Sequence, residues 1–575
     1  MSNATPTGPR AAAVARNALT GGGRFVVSAL LALVVTPYLL AQLGGDAFGL
    51  WALAGATVSV VRLLDLGLGR SMTRAVAAES GRGRPTAALE DLATGRAIML
   101  GVGVIVVLCV WLARDALAST ILRVPVALLP EARYVLVGAA AVGAVEGLFT
   151  PARAALDGVG RMDLNNGIDT VQRVASAAGV FIVLHLGWGL EGLIWKNLVL
   201  ALAAGAVYHV ALRRTVAGLS GFELAVERRR LRELAAFGRH IQVINLSGVA
   251  VEVGSKMVLS RIAGLPAVAA YEVASRVTGQ IGGALLAAAS ALFPAAAEVR
   301  SAARVSVSAL AHRAAAAGSR VEHRLVELCR RATTYTGWLA LPTYALLAVL
   351  AQDFVNAWLG PGYEPVARAL IVLALGWILA VLSAPAHMVA QAGGQVRAST
   401  AAAAATTVVA VGGAALLVRP RGLEGVVAAQ SLGLASGAVL MWVLFCRGFN
   451  CGWRDLGLPR WRPIAAAVAG AVLARLVVAQ LSPSLLTLAV AAGAGLALYG
   501  GAMLASREVS EVEAELARQV LRRPTSQRSG APNETRRGAA TDATAEPLAG
   551  LVVEHDEAAG DTPAKPPDED GSPCG

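Results

Sequence analysis

Charge is what this chain most lacks. Asp, Glu, Lys and Arg together make up 15% of its 575 residues, against roughly a quarter in soluble domains. So little charge excludes water as the main solvent and leaves lipid. Lysine is scarcer still, with Lys196, Lys256 and Lys565 the only three. The five cysteines (Cys109, Cys329, Cys446, Cys451 and Cys574) show no CxxC pair and no metal-ligand spacing. Neither a disulfide framework nor a metal site is expected from them. GxSxG, HExxH, P-loop and GxGxxG motifs in the context their chemistry needs are missing, and no catalytic residue is expected.

What the chain does have is apolar sequence, 56% of its residues. It comes in runs of roughly 20, the length a helix needs to cross a bilayer's hydrocarbon core. Fourteen runs can be marked, at about 18–43, 48–69, 96–118, 134–155, 167–187, 190–211, 241–262, 267–296, 332–352, 366–390, 398–418, 423–446, 463–481 and 484–506. The expected fold is therefore an all-α polytopic membrane protein. The polar stretch Met1–Asn17 precedes a full-length first run with no convincing cleavage site, which argues for a retained helix.

Arginine placement orients the helices. Arg70, Arg74, Arg82, Arg84 and Arg96 lie between or beside runs two and three, and Arg228, Arg229, Arg230, Arg232 and Arg239 between six and seven. Between eight and nine lie Arg300, Arg304, Arg313, Arg320 and Arg324. The alternate connections are short, and Leu43–Ala47 and Leu481–Pro483 carry no basic residue. The segment with Arg114, Arg123 and Arg133 is the most basic exception. An even number of helices then puts both termini in the cytoplasm of a bacterial inner-membrane protein. The two longest outward segments, about 119–133 and 353–365, are expected to be loops; they hold no histidine and few carboxylates, unlike a membrane polymerase, ligase or glycosyltransferase. From Arg507 the material changes to eight basic and fourteen acidic residues, while the body before it has 42 basic and 24 acidic. The body's arginines flank apolar runs, so a nucleic-acid partner is not expected. Val509–Arg523 suits a short amphipathic helix, and the sequence beyond it is too polar to bury a core.

The two halves resemble each other. Gly189-Leu190-Glu191-Gly192 opens run six, and Gly422-Leu423-Glu424-Gly425 opens run twelve, 233 residues later. Upstream of each is a glycine-containing turn, Gly158-Val159-Gly160-Arg161 and Gly393-Gly394-Gln395. Leu43-Gly44-Gly45 corresponds in the same way to Ile262-Ala263-Gly264. The expected organisation is a terminus (1–17), a six-helix lobe (18–211), a linker (212–240), a second six-helix lobe (241–446), two further helices (447–506) and a tail (507–575). Duplicated six-helix lobes with a site between them are a transporter architecture.

Leu43-Gly44-Gly45-Asp46-Ala47-Phe48-Gly49-Leu50-Trp51, followed by Leu64-Asp65-Leu66-Gly67-Leu68-Gly69, resembles the polysaccharide-transporter branch of the MOP exporter superfamily, the Wzx-type flippases. The Gly158–Arg161 turn and Leu292-Phe293-Pro294 fit the same pattern, and the resemblance covers about residues 15–450. It implies a V-shaped pair of lobes that alternates between inward- and outward-open states. The cargo it implies is an undecaprenyl-pyrophosphate-linked oligosaccharide for surface polysaccharide synthesis. Implied partners are the lipid-linked substrate, membrane lipids, and a polymerase with its co-polymerase. A lipid II flippase, which also has fourteen helices, and a MATE-type multidrug antiporter stand as alternatives.

A diphosphate cannot cross hydrocarbon unpaired, so basic residues inside the runs are candidate contacts. They are Arg24, Arg62, Lys196, Lys256 and Arg276. The resemblance places runs one, two, seven and eight around the cavity, which favours Arg24, Arg62, Lys256 and Arg276. Each has a plainer reading too. Arg24 and Lys196 sit near run ends and can snorkel. Glu252–Lys256 and Glu272–Arg276 have the i,i+4 spacing of local ion pairs, and Arg62 lies one turn from Asp65. Arg475, in run thirteen, suits a pair or a lipid contact. Glu146 has no basic residue within four positions, and Glu146 and Asp65 are the candidate carboxylates for proton or sodium coupling. No cofactor or metal is expected.

Overall fold

In a computed structural model, the chain is described for residues 9–63, 68–81, 85–215, 224, 228–290, 314–481 and 484–506. Helices dominate and no strand occurs among the described residues. We number them α1 (Pro9–Leu63), α2 (Leu68–Gly81), α3 (Pro85–Ala116), α4 (Leu129–Gly158), α5 (Met162–His185), α6 (Gly189–Thr215) and α7 (Arg228–Ala263). Then follow α8 (Leu265–Ser290), α9 (Ala314–Val349), α10 (Ala351–Leu359), α11 (Glu364–Ala392), α12 (Val396–Gly448), α13 (Trp461–Ala479) and α14 (Leu485–Ala505). Runs one and two are joined in α1 across a break at Gly44, and runs eleven and twelve in α12 across a break at Gly422.

Among the described residues nine helices are long and apolar enough to cross a membrane, and a tenth span results if the bent α9–α10 pair counts as one. α7 and α8, which carry Glu252, Lys256, Glu272 and Arg276, are not among the nine. Large apolar side chains stand exposed along the helices, as Val104, Ile105, Leu108 and Leu112 do on α3. Such continuous apolar exposure suits lipid and would be a liability in water. The protein is a multi-pass membrane protein.

Two segments expected as loops carry structure. A π-helical turn (Leu117–Ile121) and a 3-10 turn (Val126–Leu128) occupy much of 119–133. α10 fills much of 353–365, bent 66° from α9. The linker marked at 212–240 is also partly helical, since α6 runs to Thr215 and α7 begins at Arg228. α9 starts well before residue 332; there Glu327 pairs with Arg330 and Arg331 at i+3 and i+4, which supports a helix beyond its apolar part. The Leu292-Phe293-Pro294 end, the suggested helix at Val509–Arg523 and the tail lie outside the described residues.

The glycine correspondences have a backbone counterpart. Gly189 and Gly422 have φ of 54° and 55°, Gly160 and Gly394 have 79° and 81°, and Gly44 and Gly264 have 74° and 83°. Left-handed turns therefore fall at matching places in the two halves, where a residue with a Cβ is disfavoured. α1–α6 pack mainly on one another, as do α7, α8, α9, α11 and α12, and the halves meet mainly where α1 contacts α7 and α8. α13 and α14 cross with backbones in contact, because Gly470 and Gly495 face each other. They lie against α9 and the bend after it through Leu346, Leu350, Ala471 and Ala474. Small residues at such a crossing let helices approach where lipid supplies no hydrophobic drive.

The two ends of the bundle differ. At the end holding Gly44, Gly189, Gly264 and Gly422, one buried apolar cluster spans both halves and includes Phe48, Leu50, Leu265 and Val268. At the end holding Gly160 and Gly394 the clusters formed by the described residues are separate. One, with Met72, Leu156 and Tyr208, belongs to the first half; the other, with Cys329, Trp442 and Phe445, belongs to the second. Polar contacts also join the halves: Ser260 donates to the Leu122 carbonyl (2.5 Å), Arg261 to the Thr120 carbonyl (3.3 Å) and Trp358 to the Leu33 carbonyl (2.6 Å). Among the described residues the halves thus share a core at the Gly44 end and have separate cores at the Gly160 end. The four described cysteines are free thiols.

Candidate functional site: a charged cavity against the first-half helices

A cavity of about 690 Å³ runs along α4, α5 and α6, closed on its other side by α1 and α8. Its charged lining consists of Glu146 and Arg153 from α4, Asp169 and Arg173 from α5, and Glu272 and Arg276 from α8. Among the described residues three guanidiniums and three carboxylates face one space, so their formal charges balance.

Most of the carboxylate charge is already engaged. Arg153 Nη2 donates to Asp169 Oδ2 at 2.8 Å, and the Tyr208 hydroxyl donates to Asp169 Oδ1 at 2.5 Å. The Arg153 guanidinium also lies 5.3 Å from the centre of the Tyr208 ring. Asp169 is 8% exposed and Arg153 is 44% exposed, so the carboxylate forms the floor while the cation reaches the space. Asn165 fixes the α4–α5 turn beneath, donating to the Arg153 carbonyl (2.9 Å) and to Asp157 Oδ1 (2.7 Å). Pro151, two residues before Arg153, has no N–H to offer the Gly147 carbonyl, which loosens α4 beside the cavity.

On the opposite wall Glu272 is shared. Its Oε1 accepts from Arg276 Nη2 at 2.6 Å and its Oε2 lies 2.8 Å from Lys256 Nζ. Lys256 also donates to Glu252 Oε1 at 2.8 Å and to the Ala52 carbonyl, across the halves, at 3.4 Å. The two expected i,i+4 pairs are present and fused into one chain of four charges.

The candidates from sequence therefore separate. Arg276 lines the cavity. Lys256 does not: its side chain is 3% exposed and lies behind Glu272. Lys196 neither lines the cavity nor snorkels to a helix end. It donates to Ser176 Oγ (2.9 Å) and the Ser176 carbonyl (3.3 Å) and packs along Gly179. Glu146 lines the cavity and is not isolated, despite the lack of a sequence neighbour of opposite charge. Arg475 pairs with Asp353 of α10 at 3.5 Å. The side chains of Arg24 and Arg62 and the whole of Asp65 lie outside the described residues. Sequence reasoning passed over Arg153, Asp169 and Arg173, although all three fall inside apolar runs and a charge within a run is the signal that would have found them.

The family model for polysaccharide biosynthesis proteins matches residues 14–300, about half of the chain. The chain belongs to the polysaccharide biosynthesis protein family. Its fold is the one seen in transporters of the MOP superfamily. The lipid II flippase MurJ, in an inward closed conformation, superposes with a TM-score of 0.61. That match has 11% identity and covers 87% of this chain and 99% of MurJ. An inward-facing multidrug resistance MATE transporter matches with a TM-score of 0.59 at 16% identity, over 75% of this chain and 94% of its own. A MOP superfamily transporter from Pyrococcus furiosus, described as having a binding pocket of reverse polarity, matches with a TM-score of 0.57. Its identity is 16%, covering 76% of this chain and 95% of that one. At such identities these similarities concern the fold. No curated protein sequence matches the chain. This member of the family thus pairs a MOP fold with a cavity whose guanidiniums reach the space and whose carboxylates lie largely beneath them.

Proposed function

We propose that this protein moves an undecaprenyl-pyrophosphate-linked oligosaccharide from the inner to the outer leaflet of a bacterial cytoplasmic membrane, for surface polysaccharide synthesis. The observation that supports this is the split cavity chemistry. Asp169 is held by Arg153 and Tyr208, and Glu272 by Lys256 and Arg276, so an arriving diphosphate meets guanidiniums rather than bare carboxylates. Arg153 and Arg276, on opposite walls, are the proposed phosphate contacts, with Arg173 beside them. A planar guanidinium suits the bidentate recognition of phosphate oxygens. Lys256 acts in this scheme from behind: it keeps Glu272 paired when Arg276 turns to a substrate.

On this reading both termini lie in the cytoplasm, so the Gly160 end faces the cytoplasm and the separate clusters described there correspond to the side from which substrate enters. The division into two six-helix lobes, two added helices and a tail belongs to the same proposal. So do energising by a proton or sodium ion at Glu146 or Asp65, and delivery of the product to a polymerase and co-polymerase. Arg24 and Arg62 stay as candidate contacts on α1. A second reading, export of organic cations as in a MATE antiporter, is favoured by the three carboxylates on the lining. In a strain depending on this protein for polymer export, Arg153→Ala with Arg276→Ala should stop export while the protein still reaches the membrane. Export at the wild-type level would overturn the reading. Lost drug resistance with intact export would establish the second one.

A further inference from the structure

A second cavity, of about 490 Å³, lies at the Gly44 end, within the size range of small-molecule sites. Its walls come from both halves: Leu40 and Gly45 of α1, Pro266 and Ala270 of α8, Val366 of α11 and Leu423 of α12. Down α8 the lining residues Pro266, Ala270 and Val273 recur at helical spacing, a lane about 10 Å long by helix rise. The floor is apolar, but the rim is not. Arg368 pairs with Glu424 at 2.7 Å, which leaves Arg421. Arg421 is exposed and makes no ion pair or hydrogen bond among the described residues. Among the described residues the rim carries one net positive charge over an apolar lane, at the starts of α8 and α11 and the breaks of α1 and α12.

We propose that this cavity binds an anionic glycerophospholipid of the adjacent leaflet, with its phosphate on Arg421 and an acyl chain along Ala270 and Val273. Charge complementarity selects the headgroup, and the lane selects a chain over a free anion. Because α1 forms one wall and α8 another, the site exists only while the halves are closed at the Gly44 end. A lipid seated there binds one state and shifts the population towards it. Membrane composition would therefore set how readily this end opens, independently of what the central cavity carries.

The test is direct binding of phosphatidylglycerol to the purified full-length protein in neutral detergent, read by native mass spectrometry beside phosphatidylcholine and inorganic phosphate. Phosphatidylglycerol should bind and phosphatidylcholine should not. Arg421→Ala should weaken binding about tenfold, as expected for loss of one charge-assisted contact, and Arg421→Lys should restore part of it. Ala270→Phe, which fills the lane, should abolish binding. Arg421 is exposed, so its variants keep the fold. Equal retention by wild type, Arg421→Ala and Ala270→Phe would overturn the proposal. Displacement of the lipid by equimolar inorganic phosphate would do the same, by reducing the site to a simple anion contact. The assay needs no transport, so its failure would leave the proposed flippase activity standing, and a failed flippase activity would leave this site standing.

Discussion

Gly49 is the position where one methyl group should open the molecule. A Cβ added there would lie 2.2 Å from the Leu265 carbonyl oxygen, 2.8 Å from its carbon and 3.0 Å from Leu265 Cβ. The obstacle is backbone at the start of α8, so no side-chain rotation relieves it. α1 and α8 must separate by about 1 Å, and overpacking of this kind costs about 1–3 kcal/mol. Each 1.4 kcal/mol is about a tenfold change in an equilibrium, so closure at the Gly44 end should become about 5- to 150-fold less favoured. Gly45 supplies the control, since a Cβ there meets Pro266 at 3.6 Å, an ordinary contact. Val268 is fully buried in the shared apolar cluster and serves as the reporter. In a background without native cysteines, Val268→Cys should react slowly with a maleimide in detergent, and equally slowly with Gly45→Ala added. With Gly49→Ala it should react at least fivefold faster. Equal rates in all three would refute the close packing of α1 on α8 as the closure of this end.

Further outcomes follow from the same contacts. Glu272→Gln leaves Lys256 with Glu252 and takes the carboxylate from Arg276, and should cost about 1.5–3 kcal/mol, read as a lowered melting temperature. Tyr208→Phe removes a hydrogen bond to the ionised Asp169 and should cost about 1.5–3 kcal/mol, with Arg153→Ala adding less than its separate effect because both act on one carboxylate. Asp353→Asn should shift the melting temperature little, because its 3.5 Å pair with half-exposed Arg475 is long and partly solvated. Gly470→Leu should destabilise the α13–α14 crossing strongly, because a Cβ there lies 2.5 Å from the Gly495 carbonyl oxygen. Equal melting of the Gly470→Leu and Asp353→Asn variants would contradict that ranking.

Apolar runs of membrane-spanning length and glycines at repeated turns were enough to mark the helices, because the bilayer imposes both requirements locally. The Gly189 and Gly422 pair even shares its φ. The short helix α10 was not legible: its nine residues mix Asp353 and Asn356 with Phe354 and Trp358, and only packing under the bundle distinguishes that pattern from a loop. The site was half legible for a related reason. Lys256 and Arg276 look alike as charges beside a carboxylate four residues away. Only the contact between α7 and α8 puts one behind Glu272 and the other in front of it. Arg153 and Asp169 meet across the α4–α5 turn, sixteen residues apart, where local periodicity gives no warning.

The most direct measurement is flipping itself. Purified protein in liposomes should move a fluorescent polyprenyl-pyrophosphate-linked oligosaccharide across the bilayer, read as its exposure to an external quencher. Arg153→Ala with Arg276→Ala should slow that movement to the rate of empty liposomes, while a control at the distant Arg475–Asp353 pair flips normally. Wild-type flipping by the double arginine variant, or no flipping by the wild-type protein, would contradict the assignment.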